Sequence, residues 1–117
     1  MTTPFIFFDR ITAAEDAEDA RSFYSKLFNW TMTPESHDGP YARSLILEEH
    51  PWGAIVASPA PSPAWVPYIA VADLAASVAR AELLGASIVS GPTDWTAGIA
   101  VIIADPHGAL LALWGQK

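Results

Sequence analysis

Apolar and polar residues alternate along this chain in a pattern that predicts a strand, a helix and three further strands, in that order, twice. In the first half, the apolar run over residues 5–11 predicts a buried strand. Acidic residues then precede a helical pattern, and Thr12 or Asp16 would cap this helix. Its buried face is predicted to consist of Ala20, Phe23, Tyr24 and Leu27. Asn29 follows and tolerates the left-handed conformation that ends many helices.

The remaining elements follow from the same patterns. Three further strands are predicted in the first half, over residues 30–33, 41–47 and 53–57. The proline-rich segment 58–63 is typical of a semi-rigid linker. Four strands are predicted in the second half, over residues 65–71, 87–89, 99–103 and 110–114. Segments 34–40 and 91–94 are predicted loops. The second helix begins after Asp73 and ends at Gly85, and its buried face would consist of Leu74, Val78, Ala81 and Leu84.

A repeated segment indicates that the two halves are related. Residues 50–57 read His-Pro-Trp-Gly-Ala-Ile-Val-Ala, and residues 105–112 read Asp-Pro-His-Gly-Ala-Leu-Leu-Ala. The helix caps Asp16 and Asp73 are separated by almost the same number of residues as these two segments. A constant offset between matching features is typical of tandem structural units. The chain is therefore predicted to contain two copies of one βαβββ module.

Each copy of the repeat predicts a tight turn between two strands. Proline presets φ at the second position and glycine closes the fourth, which leaves Trp52 and His107 pointing outward at the third. We predict an α+β fold in which tandem βαβββ modules, about residues 4–57 and 64–115, form curved mixed half-barrel sheets. The length of 117 residues is that of a single domain, residues 1–117.

Composition excludes several classes of function. Hydrophobic residues make up 51% of the chain and charged residues 16%, as in a globular protein. The net charge of −7 argues against nucleic-acid binding, because phosphates require a basic surface. The absence of cysteine excludes disulfides and thiolate metal sites. Asp105 and Gly108 interrupt the apolar stretch 97–114, which therefore predicts strands and no membrane span. We expect a cytoplasmic protein.

Two sets of motifs resemble those of the vicinal oxygen chelate superfamily, which includes glyoxalase I, bleomycin-resistance proteins and extradiol dioxygenases. Residues 16–30 match the pattern D-x-x-x-A-x-x-F-Y-x-x-L-F-G-W, with Asn29 in place of glycine. Residues 68–74, 84–86 and 105–108 match the second half of that family. The resemblance implies that each module curls its four strands into a partial barrel, with one cleft in each module or one cleft between the two. It also implies a homodimer.

The resemblance implies where a metal ion would be bound. In metal-dependent members, His, Glu or Gln ligands come from the first and last strands of each module. The matching positions here are Asp9, Ala57, Val66 and Ala112, and of these Asp9 alone has a side chain that can ligate a metal. We therefore expect no metal site of the usual kind and no cofactor. The alternative is a divalent metal held by Asp9 together with the loop histidines His37, His50 and His107.

Strand alternation predicts which side chains line the cleft. The candidate ligand-binding residues on strands are Phe7, Asp9, Arg43, Tyr68, Leu110 and Trp114. Trp52 and Trp95, near strand ends or in loops, are further candidates at the rim of the pocket. Asp9 is also the candidate catalytic residue, as a general base if an apolar cleft raises its pKa. The third strand leaves open which face lines the cleft, that of Tyr41, Arg43 and Leu45 or that of Ala42 and Ser44. Five tryptophans favour a stacking site for a flat or cationic ligand.

Three functions are compatible with these observations. The first is metal-independent binding or sequestration of a small aromatic or cationic molecule, as the resemblance to bleomycin-resistance proteins implies. The second is a metal-dependent lyase or dioxygenase of the same superfamily with an atypical site. The third is a non-catalytic accessory domain whose cleft is filled by side chains. The expected partners are a small-molecule ligand and a second copy of the chain, with no nucleic acid and no membrane.

Overall fold

The computed structural model describes residues 3–117. The elements of the first half are β1 (Phe5–Thr12), a single 3₁₀ turn (Ala14–Asp16), α1 (Ala17–Phe28), β2 (Thr31–Met32), β3 (Ala42–Leu47) and β4 (Pro51–Ala57). Those of the second half are β5 (Ala64–Ala70), α2 (Leu74–Leu83), β6 (Ser87–Asp94), β7 (Gly98–Ala104) and β8 (Leu110–Gln116). Each half has the order βαβββ, and the predicted fold class is confirmed.

All eight strands form one curved, unclosed sheet in the order β2-β3-β4-β1-β5-β8-β7-β6. The modules meet where β1 and β5 pair antiparallel, and Asp9 lies opposite Val66 in this pairing. Strands β4 and β8 add in parallel on either side, next to β1 and β5 respectively. The concave face carries the larger core, which includes Ile11, Val56, Val66, Tyr68 and Ala112. The helices cover the opposite face, which we call the helix face.

Helix α1 packs on the helix face through small residues. Ala20 is buried against Ile46 and Ile55, and Tyr24 packs beside them. Phe23 and Leu27 are each 57% exposed, so their predicted burial is wrong. Close packing of the alanine side of the helix against the sheet turns the neighbouring stripe outward. The predicted left-handed end of the helix is observed at Asn29, where φ is 58°.

Helix α2 begins and ends as its sequence predicts. The Asp73 side chain accepts a hydrogen bond of 3.0 Å from the backbone N–H of Ala76, and Gly85 has a φ of 101°. Leu74, Val78 and Ala81 pack against the core of β7 and β8 on the helix face. Leu84 is exposed, and its predicted burial is wrong because it follows the last helical turn. In residues 3–117, neither helix is long and apolar enough to cross a membrane.

The two copies of the repeated segment adopt different structures. In the second copy, the Asp105 side chain accepts hydrogen bonds from the backbone N–H groups of His107 and Ala109, and the predicted turn is present. In the first copy, Pro51 already belongs to β4 and the predicted turn is wrong. The pairing of β3 with β4 shifts at this point, and Trp52 has no partner across the pair. The predicted loop 91–94 is also wrong, since it continues β6 with an irregular register.

Candidate functional site

Two adjoining cavities lie on the concave face of the sheet, and Tyr68 and Trp95 line both of them. The outer cavity has a volume of about 290 Å³. Its wall includes Phe7, Arg43, Leu45, Tyr68, Trp95 and Trp114. The inner cavity has a volume of about 20 Å³, which exceeds the roughly 10–15 Å³ needed by one water molecule. Its wall includes Asp9, Tyr41, Ser58, Tyr68, Ser90 and Trp95.

Three strands supply the aromatic wall of the outer cavity. Phe7 of β1 lies opposite Tyr68 of β5, and their rings meet edge to face with centroids 5.7 Å apart. Trp114 of β8 lies 6.1 Å from the Tyr68 ring. A Cβ atom on Gly98 would lie 2.5 Å from Cζ2 of Trp114, so the glycine lets the indole approach the backbone of β7. Strand pairing therefore fixes the relative positions of these rings.

Strand β3 faces the concave side with Arg43 and Leu45, and Tyr41, just before the strand, lies on the same side. This resolves the alternative left open by the sequence. The guanidinium of Arg43 lies over the Trp95 ring, 4.2 Å from its centroid. Its Nη2 donates a hydrogen bond of 2.6 Å to Oδ2 of Asp38. Its Nε is buried and has no hydrogen-bond partner among the described residues. Arg43 therefore brings a charged donor, only partly satisfied, to the wall of the outer cavity.

The loop before β3 contacts the second module through Trp95. Although Trp95 lies between two strands, it is only 4% exposed. A Cβ atom on Gly39 would lie 2.3 Å from Cε3 of Trp95, so the loop rests directly on the indole. The Thr96 hydroxyl donates a hydrogen bond of 2.9 Å to the backbone carbonyl of Asp38. Contacts between the modules thus hold Trp95 against the cavities.

Asp9 is buried at the inner cavity, with 3% of its surface exposed. The Tyr68 hydroxyl donates a hydrogen bond to Oδ2 of Asp9, while Oδ1 has no partner within the described part of the chain. Burial raises the pKa of Asp9 to about 6, and the Tyr68 hydrogen bond and the Arg43 charge oppose this rise. Burial, followed by the charge of Asp9, raises the pKa of Tyr68 above its ordinary value. Asp9 is therefore a weakly acidic carboxyl group with one free oxygen.

The strand register shows which residues stand where metal ligands would be expected. Asp9 lies opposite Val66, and Tyr68 lies opposite Ala112. In the first module, Ile11 pairs with Val56 in the same way as Tyr68 pairs with Ala112 in the second module. The position equivalent to Ala112 is thus Val56, and the assignment to Ala57 is wrong by one residue, because the first copy of the repeat is not a turn.

These residues do not fit a divalent metal ion. Val56, Val66 and Ala112 offer no donor atom, and Tyr68 is already hydrogen-bonded to one oxygen of Asp9. The three histidines are exposed, and none of them lines the inner cavity, at which Asp9 is buried. Among residues 3–117, no three His, Asp or Glu side chains come close enough together to hold a metal. The structure therefore does not bring the loop histidines to Asp9.

The other candidate residues lie outside the two cavities. Leu110 packs against the concave-face core without lining either cavity. Trp52 lies on the helix face, where its ring is 4.9 Å from that of Trp30, because the irregular pairing of β4 turns it there. It also borders a surface recess with Glu48, Glu49 and His50. Trp52 and Leu110 are therefore separate from the aromatic wall.

Several residues of the cavity walls are not among the candidates predicted from the sequence. Ser90 and Thr93 of β6 line the inner cavity, and their segment was partly predicted as a loop. Ala97 lines the outer cavity and follows Trp95 in the connection between β6 and β7. Pro51 also lines it, from the segment predicted as a turn. Each of these residues lies where the backbone is irregular at the end of a strand. There, inward and outward side chains do not alternate regularly, so the sequence pattern could not identify the residue.

Comparison with known structures shows the same fold. A Staphylococcus aureus protein matches with a TM-score of 0.62 at 15% identity, and the match covers all of both chains. A glyoxalase/bleomycin resistance protein/dioxygenase superfamily member from Vibrio splendidus 12B01 matches with a TM-score of 0.61 at 12% identity, covering 94% of this chain and 97% of that one. Methylmalonyl-CoA epimerase from Mycobacterium tuberculosis matches with a TM-score of 0.57 at 17% identity, covering 100% and 93%.

A comparison with curated proteins finds no significant match. The sequence does match the family of the glyoxalase-like domain, over residues 6–114. This match covers nearly all of the described structure and confirms the predicted resemblance to the vicinal oxygen chelate superfamily. The chain belongs to the glyoxalase-like domain family.

Proposed function

We propose that this chain binds a small aromatic molecule in the outer cavity without a metal ion. The observation that carries this proposal is the wall of four aromatic rings around a volume of about 290 Å³, formed by Phe7, Tyr68, Trp95 and Trp114. Concave apolar cavities of this size are the usual sites of small ligands, and aromatic rings contribute both apolar area and stacking.

The charges around the cavity favour an uncharged or anionic aromatic ligand over a cationic one. Of the described residues that line the outer cavity, none is acidic and Arg43 is the one cation. Asp9 lines the inner cavity and is hydrogen-bonded to Tyr68. A cationic ligand would be repelled by the Arg43 guanidinium, and no carboxylate among the described residues of this wall would pair with it. We therefore propose an aromatic ligand and not the cationic ligand that the sequence also suggested.

Binding, or sequestration, is proposed in place of metal-dependent chemistry. The residues at the expected ligand positions are apolar apart from Asp9, which supports metal independence. Asp9 does not line the outer cavity, so no catalytic step is assigned to it. The likeness to a methylmalonyl-CoA epimerase is at 17% identity and concerns the fold alone.

We also propose that two copies of the chain associate, in the cytoplasm, through α1. Phe23 and Leu27 form an exposed apolar stripe on this helix. Its first turn carries Glu18 and Asp19, and its last turn carries Lys26. Two α1 helices packed antiparallel about a twofold axis would place the acidic turn of each beside Lys26 of the other. This charge distribution supports a self-complementary contact.

The proposed binding is tested with two matched tryptophan variants. Isothermal titration with a panel of one- to three-ring aromatic compounds, in the presence of a chelator, should give binding at one site per chain. Trp114→Leu removes one wall of the outer cavity and should weaken binding about tenfold, roughly 1.4 kcal/mol. Trp52→Leu makes the same change on the helix face and should leave binding unchanged. An equal loss of affinity in both variants, or no measurable binding of any compound in the panel, would overturn the proposal.

A further inference from the structure

We propose that the outer cavity selects aromatic ligands that carry a carboxylate, and that Arg43 recognises this group. The inference rests on the proposed function, because an aromatic ring must first enter the outer cavity. It specifies aromatic carboxylates as the class of ligand and Arg43 as the residue that determines this specificity.

The polar groups on the cavity wall determine which polar group of a ligand the cavity can bind. Most lining residues are apolar or aromatic, such as Ile6, Leu45 and Trp114. The Tyr68 hydroxyl is already engaged with Asp9. The remaining strong polar group is the guanidinium of Arg43, which can donate hydrogen bonds and cannot accept them. A polar ligand group that meets this wall must therefore be an acceptor.

The geometry of Arg43 leaves one donor of the guanidinium without an acceptor. One face lies over the Trp95 ring, at 4.2 Å from its centroid. Nη2 is bound to Asp38. The buried Nε has no partner among residues 3–117, although a buried donor without an acceptor is unfavourable. A planar carboxylate that replaced Asp38 along the Nε–Nη2 edge of the guanidinium would satisfy both donors, and carboxylates match the planar donors of arginine better than other common ligand groups do.

Asp38 competes with such a ligand for the same cation. Its side chain is 40% exposed, so it can leave Arg43 for solvent at modest cost. A ligand carboxylate would share or replace its contact with the guanidinium. Removing the charge of Asp38 should consequently strengthen the binding of a carboxylate and leave that of an uncharged aromatic compound unchanged.

Three probes with one ring system test this inference by isothermal titration: 2-naphthoate, 2-naphthalenemethanol and 2-naphthylmethylammonium. We expect naphthoate to bind at least about fivefold more tightly than the alcohol, and the ammonium compound to bind most weakly. Arg43→Gln should weaken naphthoate binding about tenfold and remove the preference for naphthoate over the alcohol. Asp38→Asn should tighten naphthoate binding several-fold. Arg80→Gln, which makes the same charge change on the exposed side of α2, should alter neither.

The outcomes separate this inference from the proposed function. If the alcohol binds as tightly as naphthoate and Asp38→Asn leaves their ratio unchanged, the inference is overturned while aromatic binding stands. If none of the three probes binds to protein that is folded by circular dichroism, aromatic binding and the inference both fail. If Arg43→Gln does not fold, the Asp38→Asn ratio alone decides the question, because that variant keeps the arginine.

Discussion

The hydroxyl group of Tyr68 donates a hydrogen bond to the carboxylate of Asp9 across the strand pair that joins the two modules. Asp9 occupies a position at which the family resemblance predicts a metal ligand, and Val66 and Ala112 at the matching positions are apolar. The hydroxyl thus gives one oxygen of this buried carboxylate a hydrogen-bond partner.

The raised pKa of Asp9 predicts that the protein loses stability as pH rises. Burial raises this pKa to about 6 from the ordinary value of 3.8, so the folded state holds the proton at pH values where the unfolded state has released it. The resulting stabilisation is complete below about pH 4 and is lost as pH rises through about 6. For Asp9 alone the loss between pH 4.5 and 8 is about 2 kcal/mol, which urea denaturation can measure.

Asp9→Asn isolates this contribution, since asparagine does not titrate and can still accept a hydrogen bond from Tyr68. The variant should be more stable than the parent protein at pH 8, and its advantage should shrink by about 2 kcal/mol at pH 4.5. A difference between the two proteins that does not change with pH would contradict the assignment of the titration to Asp9.

Tyr68→Phe tests the hydrogen bond itself. The variant keeps the ring that lines the outer cavity and removes the partner of the Asp9 carboxylate, so stability should fall by about 1–3 kcal/mol at pH 8. The loss should be smaller at pH 4.5, where Asp9 is largely protonated, and the pKa of Asp9 should rise further. Carbon-detected NMR titration of Asp9 measures that pKa. Binding of an uncharged aromatic probe should persist, and an identical stability loss at both pH values would count against this role of the hydroxyl.

Gly39→Ala tests the contact between the two modules at Trp95. The added Cβ would lie 2.3 Å from the indole, so the loop or the ring must move, at a cost of about 1–3 kcal/mol. Aromatic probes should also bind more weakly, because Trp95 lines the cavity. Gly108→Ala serves as the control: it has a φ of 95° and no atom within 4 Å of the added Cβ, so it should cost about 1 kcal/mol without affecting binding. Parallel losses of affinity in both variants would refute the role of the loop.

The proposed contact through α1 predicts a change in molecular mass. Replacing Phe23 and Leu27 by Asp places charges within the apolar stripe and should convert a dimer into a monomer, as measured by light scattering after size-exclusion chromatography. The same two replacements at Leu83 and Leu84, exposed at the end of α2, should leave the dimer intact. A parent protein that is monomeric at micromolar concentration would contradict the proposal.

Features encoded by neighbouring residues could be predicted from the sequence. Asn29, Asp73 and Gly85 end or cap helices through contacts within a few residues, and all three are observed in these roles. Alternation along regular strands also placed Phe7 and Trp114 on the concave face. These signals need no knowledge of distant contacts.

Features that depend on distant contacts could not be predicted in this way. Trp52 faces the helices because the pairing of β3 and β4 shifts beside it, and no local pattern marks that shift. Trp95 is buried because Gly39, from the other module, packs on it. The sequence did not determine which face of β3 lines the cavities, because apolar residues occur on both sides of the strand. In the structure, the face with Arg43 lines the outer cavity.

The most direct test of metal-independent binding measures metal content and ligand affinity on the same sample. Elemental analysis of the purified protein should find divalent metal well below one ion per chain. Aromatic probes should bind with the same Kd before and after exhaustive treatment with a chelator. One tightly held divalent ion per chain, whose removal abolishes binding and whose return restores it, would contradict the account.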